Sequence, residues 1–344
     1  MSEPERPDQG QPNPEPRPRE SGYADDEPPT EGFFGSANTA VTDDLGAAEE
    51  SQSEVPEQRR ASLRADAWHQ LRRRPMFWFA IVIIAVFVTM ALVPWLFADP
   101  DAVSQQAGAC QLARSLQPPS SEFWFGTDQQ GCDVYARTIY GARASITVGV
   151  LVTLGVSVIG VIIGTTAGYF GGWADSVLSR IVDIFFALPL FLAGLIFLSV
   201  LQLPGIWGVV IAMTLFGWTQ IARIARSSVI STKSMDYVQA ARALGASNDR
   251  IIRHHVLPNS LTPVIVVAMI SLGGFITAEA TFSFLGIGVQ PPTISWGVMI
   301  AEAQTVFVSA PWTLLFPAGA LLLTVLSFIL LGDAVRDALD PKLQ

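Results

Sequence analysis

Between His254 and Gly332 the chain contains neither lysine nor arginine. A soluble domain needs charged side chains on its surface, so a gap of this length argues against a soluble fold. Half of all residues are hydrophobic and only 15% are charged. The sequence therefore predicts an all-α integral membrane protein.

The charges that do occur are concentrated near the N-terminus. Residues 1–57 hold 15 acidic residues and 3 arginines, with many prolines and few large apolar side chains. Such a segment cannot bury enough surface to offset its chain entropy, so residues 1–58 are predicted to form a disordered acidic tail. Arginines dominate residues 59–75, which are predicted to be a basic juxtamembrane segment. A signal peptide is the alternative, but the first apolar run starts only near Met76, after an acidic tail.

Six apolar runs are long enough to cross the hydrocarbon core as helices. Gly160, Gly164 and Gly168 recur every four residues in the second run, which allows close helix contact. We interpret this stripe as packing within one subunit rather than as a dimer interface. The predicted transmembrane helices are residues 76–97, 146–170, 177–201, 205–224, 261–285 and 312–331.

The distribution of Lys and Arg predicts the orientation of the chain. Six arginines precede the first span, and six Lys or Arg lie at the end of the fourth span or in the loop before the fifth. Both ends of the chain are therefore predicted to be cytoplasmic, in a multi-pass plasma or inner membrane protein. Residues 98–143 would form an extracytoplasmic loop. The core would follow over residues 144–332, with five spans and a cytoplasmic loop at 225–260. Residues 333–344 would form a cytoplasmic C-terminus.

Both cysteines of the chain, Cys110 and Cys132, lie in the predicted outer loop. The outer compartment is oxidising, which favours a disulfide between them. Two free thiols remain the alternative. No histidine lies nearby to complete a metal site, and His69, His254 and His255 show no ligand spacing, so no metal site is predicted.

Residues 237–259 are polar and basic between two apolar spans. Gly245 fits the left-handed position after a first short helix, and Ser247 or Asn248 can cap a second, which Pro258 is expected to end. From the residues alone, this helix pair could rest on anionic lipid headgroups or bind a cytoplasmic partner.

A resemblance favours the partner. Gln239-Ala240-Ala241, three residues, Gly245, and then Leu257-Pro258-Asn259 resemble the "EAA" loop of ABC-importer permease subunits. Segments 125–149, 279–297 and 331–343 resemble those of peptide-importer permeases of the DppC/OppC type. The resemblance implies a type I ABC importer permease fold whose loop inserts into an ATPase subunit. The implied contact residues are Tyr237, Gln239, Ala240, Ala241, Gly245, Leu257, Pro258 and Asn259.

This chain departs from the family pattern at two positions. Gln239 stands where the family often has Glu, which weakens any specific salt bridge to the partner. Cys132 stands where the family usually has Arg, so the cysteine pair resembles a disulfide that replaces a polar contact.

The resemblance also implies the partners: a homologous second permease, two ABC ATPase subunits, an extracytoplasmic solute-binding protein and membrane lipid, but no nucleic acid. The chain has no P-loop, because its only lysines, Lys233 and Lys342, do not follow glycine. ATP and Mg²⁺ would therefore bind to the partner subunits, and this chain would carry no cofactor and no catalytic site. Peptides are the expected substrates. The alternative substrates are nickel chelates or another small solute. The alternative protein classes are a secondary transporter or channel and a membrane scaffold without transport.

Ionisable residues within the spans are rare. Glu279 is expected either on the translocation path or a subunit interface, or in a structural role through hydrogen bonds to neighbouring helices. Arg180 and Asp183 have the spacing of a weak helical ion pair near the inner end of the third span.

Overall fold

The computed structural model describes residues 68, 71–103, 110–201, 203 and 205–339. The predicted acidic tail, residues 1–58, lies outside this part, as do residues 340–344. The described residues contain helices, three short 3-10 turns and one isolated bridge between Thr127 and Asp133. The all-α prediction is confirmed.

The α-helices, in chain order, are α1 (Pro75–Leu92), α2 (Val134–Phe170), α3 (Gly172–Ala187), α4 (Leu190–Leu201), α5 (Gly205–Gly217), α6 (Thr219–Lys233), α7 (Asp236–Ala243), α8 (Asn248–Ile251), α9 (Leu257–Phe284), α10 (Trp296–Ala303) and α11 (Trp312–Leu339). The 3-10 turns are Pro94–Leu96, Pro100–Val103 and Leu112–Arg114.

Four of these helical segments can cross a membrane without interruption, namely α1, α2, the run Asn248–Phe284 and α11. The predicted third and fourth spans are instead bent pairs, α3 with α4 at 81° and α5 with α6 at 43°. The described residues therefore form six spans if each bent pair counts as one. Pro189 lies at the first break, where its missing N–H and its ring are incompatible with a continuous helix.

Helix α2 begins at Val134, well before the predicted start of its span at residue 146. Asp133 caps it by accepting a hydrogen bond from the Tyr135 backbone N–H at 2.9 Å. The last part of the predicted outer loop is thus helical. Hydropathy did not indicate this, because the first turns carry Arg137 and Arg143.

The glycine stripe of α2 packs against α6 of the same chain. A Cβ atom on Gly164 would lie 2.4 Å from the Ala222 carbonyl oxygen, and one on Gly160 would lie 2.7 Å from Ile221. Only glycine allows the two backbones to approach this closely. The interpretation of the stripe as packing within one subunit is confirmed.

The prediction that Pro258 ends a short helix is wrong. α8 continues through a π-helical turn, Ile252–Val256, directly into α9, and Pro258 lies in the first turn of α9. Proline is tolerated there because the first N–H groups of an α-helix have no partner within that helix. One helical run, Asn248–Phe284, therefore joins the polar helix pair to a membrane span.

Candidate functional site

The first helix of the polar stretch, α7, ends in a well-formed cap. Gly245 has φ +80°, the left-handed conformation that glycine adopts most easily. The Ala246 N–H donates to the Ala241 carbonyl at 3.1 Å, and the Gly245 N–H donates to Arg242 at 3.0 Å. These two bonds define a Schellman motif, so Gly245 occupies the predicted C′ position.

The second helix, α8, begins at a capping serine. The Ser247 hydroxyl accepts the Arg250 N–H at 3.4 Å, and Arg253 pairs with Asp249 at 2.8 Å. Ser247, one of the two predicted candidates, is thus the N-cap. Short caps at both sides of the turn restrict the relative orientation of the two helices.

The helix pair is held against the end of α2 by polar and apolar contacts. The Tyr169 hydroxyl donates to Asn248 Oδ1 at 2.8 Å, and Lys233 Nζ donates to the Tyr169 carbonyl oxygen. A cluster of buried side chains lies beneath, and its members are Tyr169, Val229, Val238, Ile251 and Val256. Because these residues come from α2, α6, α7, α8 and the π turn, the pair is packed firmly against the helices that it joins.

The opposite side of the pair is exposed, and we call it the protruding surface. It consists of Tyr237, Ala240, Ala243, Leu244 and Gly245. Leu244, at the tip, is 89% exposed. Small alanines beside an exposed leucine and tyrosine let another backbone approach closely.

The remaining predicted contact residues lie around this surface. Ala241 is half-buried below it, while Leu257, Pro258 and Asn259 form the first turn of α9. The Gln239 amide donates to the Lys233 carbonyl at 3.0 Å, at the end of α6. A glutamate at this position could not donate that bond when ionised, so the glutamine has a local role that the family pattern did not suggest.

Two ion pairs join α3 to α6 near this end of the bundle, and the sequence did not reveal them. Arg226 contacts both carboxylate oxygens of Asp175 at 2.5 and 2.6 Å. Arg223 pairs with Asp183 at 2.8 Å, so the expected pairing of Asp183 with Arg180 is wrong. The partners are about forty to fifty residues apart along the chain, and local spacing rules cannot find such pairs.

At the other end of the molecule, Cys110 and Cys132 are joined by a disulfide, with their Cα atoms 4.2 Å apart. Beside it, the Arg137 guanidinium contacts Asp128 and, at 2.8 Å, Glu302 on α10. Burial raises the pKa of the Asp133 carboxyl, against the lowering effect of the Tyr135 and Ala136 N–H groups.

Within the described ranges, no group of three His, Cys, Asp or Glu residues is placed to hold a metal ion.

Glu279 is completely buried in α9. The Ser283 hydroxyl donates to its Oε1 atom at 2.8 Å, and the Ser145 and Ser295 hydroxyls lie close to the same carboxyl group. Its Oε2 atom has no hydrogen-bond partner among the described residues. A side chain without accessible surface in this conformation fits the structural interpretation better than a place on an open path.

The sequence matches two family models. Residues 160–344 match the binding-protein-dependent transport system inner membrane component, and residues 62–119 match the N-terminal TM domain of oligopeptide transport permease C.

Several curated proteins are similar over most of their length. A dipeptide transport system permease protein of Bacillus subtilis strain 168 is 40% identical over 299 residues, covering 86% of this chain and 92% of that protein. The oligopeptide transport system permease protein of the same strain is 36% identical over 87% of this chain and 96% of its own length. A glutathione transport system permease protein of Pectobacterium atrosepticum is 35% identical over 80% of this chain and 92% of its own length. This chain therefore belongs to the family of binding-protein-dependent transport system inner membrane components, as a multi-pass ABC transporter permease.

Proposed function

We propose that this chain is one of two permease subunits that form the pore of an ATP-driven importer for di- or oligopeptides. ATP and Mg²⁺ bind to two separate ATPase subunits, and this chain hydrolyses nothing. The protruding surface docks onto one ATPase subunit and transmits its movement to the spans.

The observation that carries this proposal is the continuity between the protruding surface and a membrane span. The helix pair is fixed to α2 and α6 by Tyr169 and its buried cluster, and its second helix runs into α9 without a break. A force on the pair must therefore move α9. A helix pair resting passively on lipid headgroups would need no such mechanical link.

The substrate class rests on the relatives. Their names specify dipeptides, oligopeptides and glutathione. Glutathione is itself a small peptide, so one chemical class accommodates all three. Nickel chelates, other small solutes and non-ATP-driven transport remain outcomes that transport assays would reveal.

The proposed orientation places both chain ends and the protruding surface in the cytoplasm, as the distribution of arginines predicts. The end with the disulfide then faces outward. A solute-binding protein would deliver peptides there, and its pocket would set most of the selectivity.

The test uses Leu244, because its side chain is 89% exposed and can be changed without disturbing the fold. In a complex reconstituted with its ATPase subunits, second permease and binding protein, Leu244→Asp should abolish dialanine-stimulated ATP hydrolysis and dialanine uptake. Leu244→Met is the matched control, since it keeps an apolar side chain of similar size at the same exposed position.

Wild-type behaviour of Leu244→Asp would contradict docking at this surface. Uptake that proceeds without ATP, driven by an ion gradient, would contradict the ABC mechanism and favour a secondary transporter.

A further inference from the structure

A cavity of about 560 Å³ lies where the two bent pairs meet the middle of α9. The break between α3 and α4 contributes Phe186 and Phe191, and the break between α5 and α6 contributes Phe216 and Gln220. Ser271 and Gly274 of α9 complete the wall. Both interruptions of regular helix thus open onto the same cavity.

The cavity lies deep within the membrane-spanning part of the chain. At 1.5 Å per residue, Gln220 is roughly 22 Å along the helices from Gly205, and Ser271 is roughly 21 Å from Leu257. The hydrocarbon core is about 30 Å thick. Both residues therefore lie inside the hydrocarbon core, about 8–9 Å from the boundary toward which each helix runs.

Gln220 is exposed at this depth, and its side-chain amide makes no hydrogen bond within the part of the chain that the structure describes. By contrast, the amides of Gln129, Gln239 and Gln290 each donate to a nearby oxygen. An unpaired amide facing lipid tails would cost several kcal/mol, about 4–8 on a scale without compensation. The face that carries Gln220 therefore does not face lipid.

The lining of the cavity contains no charged side chain. Its polar groups are the Gln220 amide and the hydroxyls of Thr219 and Ser271, among aromatic and aliphatic side chains. A primary amide both donates and accepts hydrogen bonds, which matches the N–H and C=O of a peptide group. Because the wall carries no charged side chain, it would not distinguish acidic from basic peptides by the sign of their charge.

We propose that this cavity lines the translocation path and that Gln220 hydrogen-bonds the peptide group of a substrate in transit. This inference rests on the proposed function for the substrate, but the water-facing position of Gln220 stands on geometry alone. The competing occupant is the second permease subunit, packed dry against this face.

The native disulfide makes a direct test possible. The chain has two cysteines, and both are in that bond, so Gln220→Cys introduces a single free thiol. In the purified complete complex, a membrane-impermeant methanethiosulfonate reagent should modify this thiol about ten-fold faster than that of Val82→Cys, and dialanine with the binding protein should slow the reaction. Val82 is the control because it is 57% exposed on α1.

Equal labelling of both variants would overturn the water-facing placement and support dry packing against the second subunit. Fast labelling that dialanine does not slow would overturn the substrate contact. Absence of dialanine uptake by the unsubstituted complex would instead contradict the proposed function, because labelling without substrate needs no peptide.

A second pair of variants tests the hydrogen bond itself. Gln220→Leu should lower the maximal rate of dialanine uptake about five-fold, the equivalent of one hydrogen bond, while subunit co-purification is unchanged. Gln220→Asn keeps the amide and should retain most of the rate. Equal rates in both variants would overturn the proposed contact.

Discussion

The hydroxyl of Tyr169, near the end of α2, donates a hydrogen bond to Oδ1 of Asn248 at the start of α8, at 2.8 Å. The two residues are 79 positions apart, and the bond fixes the helix pair to α2, which is 37 residues long. The turn that carries Leu244 is therefore supported from behind, while its tip stays free to meet a partner.

Tyr169→Phe removes this hydrogen bond and keeps the ring in its buried cluster. The loss should be about 0.5–1.5 kcal/mol, and we expect weaker dialanine-stimulated ATP hydrolysis with unchanged basal hydrolysis. The measurement is ATPase activity of the reconstituted complex. Tyr140→Phe is the control, since the Tyr140 hydroxyl bonds the Ala98 carbonyl at the other end of the molecule at 3.3 Å. Equal effects of the two changes would argue against a role of this bond in coupling.

A side chain at position 245 would meet no neighbouring atom, but the backbone conformation there favours glycine. Nothing lies within 4 Å of a Cβ atom at this position, but its φ of +80° is strained for other residues. Gly245→Ala should destabilise the turn by about 1–2 kcal/mol. Gly245→Pro, whose φ is fixed near −65°, should abolish stimulated ATP hydrolysis although the chain still inserts normally. Gly319→Ala, in an open helical position without positive φ, is the neutral control. Full stimulation in the proline variant would refute the importance of this turn.

Glu279→Gln should leave assembly and dialanine uptake within about two-fold of the wild type, because the amide can still accept from Ser283 and donate to a neighbouring serine oxygen. Glu279→Leu should destabilise the fold by about 1–3 kcal/mol, because it leaves buried hydroxyl groups without their partner. Uptake and thermal unfolding in detergent measure the two effects. A Gln variant that assembles normally but transports nothing would point to a direct role of Glu279 in translocation.

The ion pairs of Arg137 and of Arg223 should contribute different amounts to the free energy of unfolding. Arg137 is 8% exposed between Asp128 and Glu302, so Arg137→Met leaves carboxylates unpaired and should cost about 3–5 kcal/mol. Arg223 is 45% exposed beside Asp183, and Arg223→Met should cost at most about 1 kcal/mol. Unfolding of both variants in the same detergent gives the comparison. Similar losses would show that the Arg137 contacts are weaker than their burial implies.

Breaking the disulfide should loosen the outer loop. The bond closes a loop with a sequence separation of 22 residues, for which the chain-entropy model gives about 3 kcal/mol. Cys110→Ser with Cys132→Ser should therefore lower the melting temperature, and reductant should lower that of the wild type but not of the double variant. Alkylation of both thiols in unreduced protein would contradict the pairing.

Local sequence signals predicted much of this structure. The lengths of the apolar runs indicated the spans, and the cap at Gly245 and Ser247 followed from residue type because those positions depend on local backbone geometry. The bends between α3 and α4 and between α5 and α6 were missed, because the hydropathy of an apolar run is the same whether its helix is straight or broken. Pro258 was misread because proline suits both the end and the first turn of a helix. The pairs of Arg226 with Asp175 and Arg137 with Glu302 depend on tertiary packing, which spacing along the chain does not encode.

The π turn Ile252–Val256 also sets an angular phase. Each added residue rotates the next part of the helix by about 100° around its axis, and a π turn accommodates the addition without interrupting the rod. The direction in which α8 faces, relative to Ser271 and Gly274 on α9, therefore depends on the length of this turn. Deleting one residue there would turn Asn248 and Ile251 away from Tyr169 and the buried cluster, so the helix pair could not keep both its attachment to α2 and its continuity with α9.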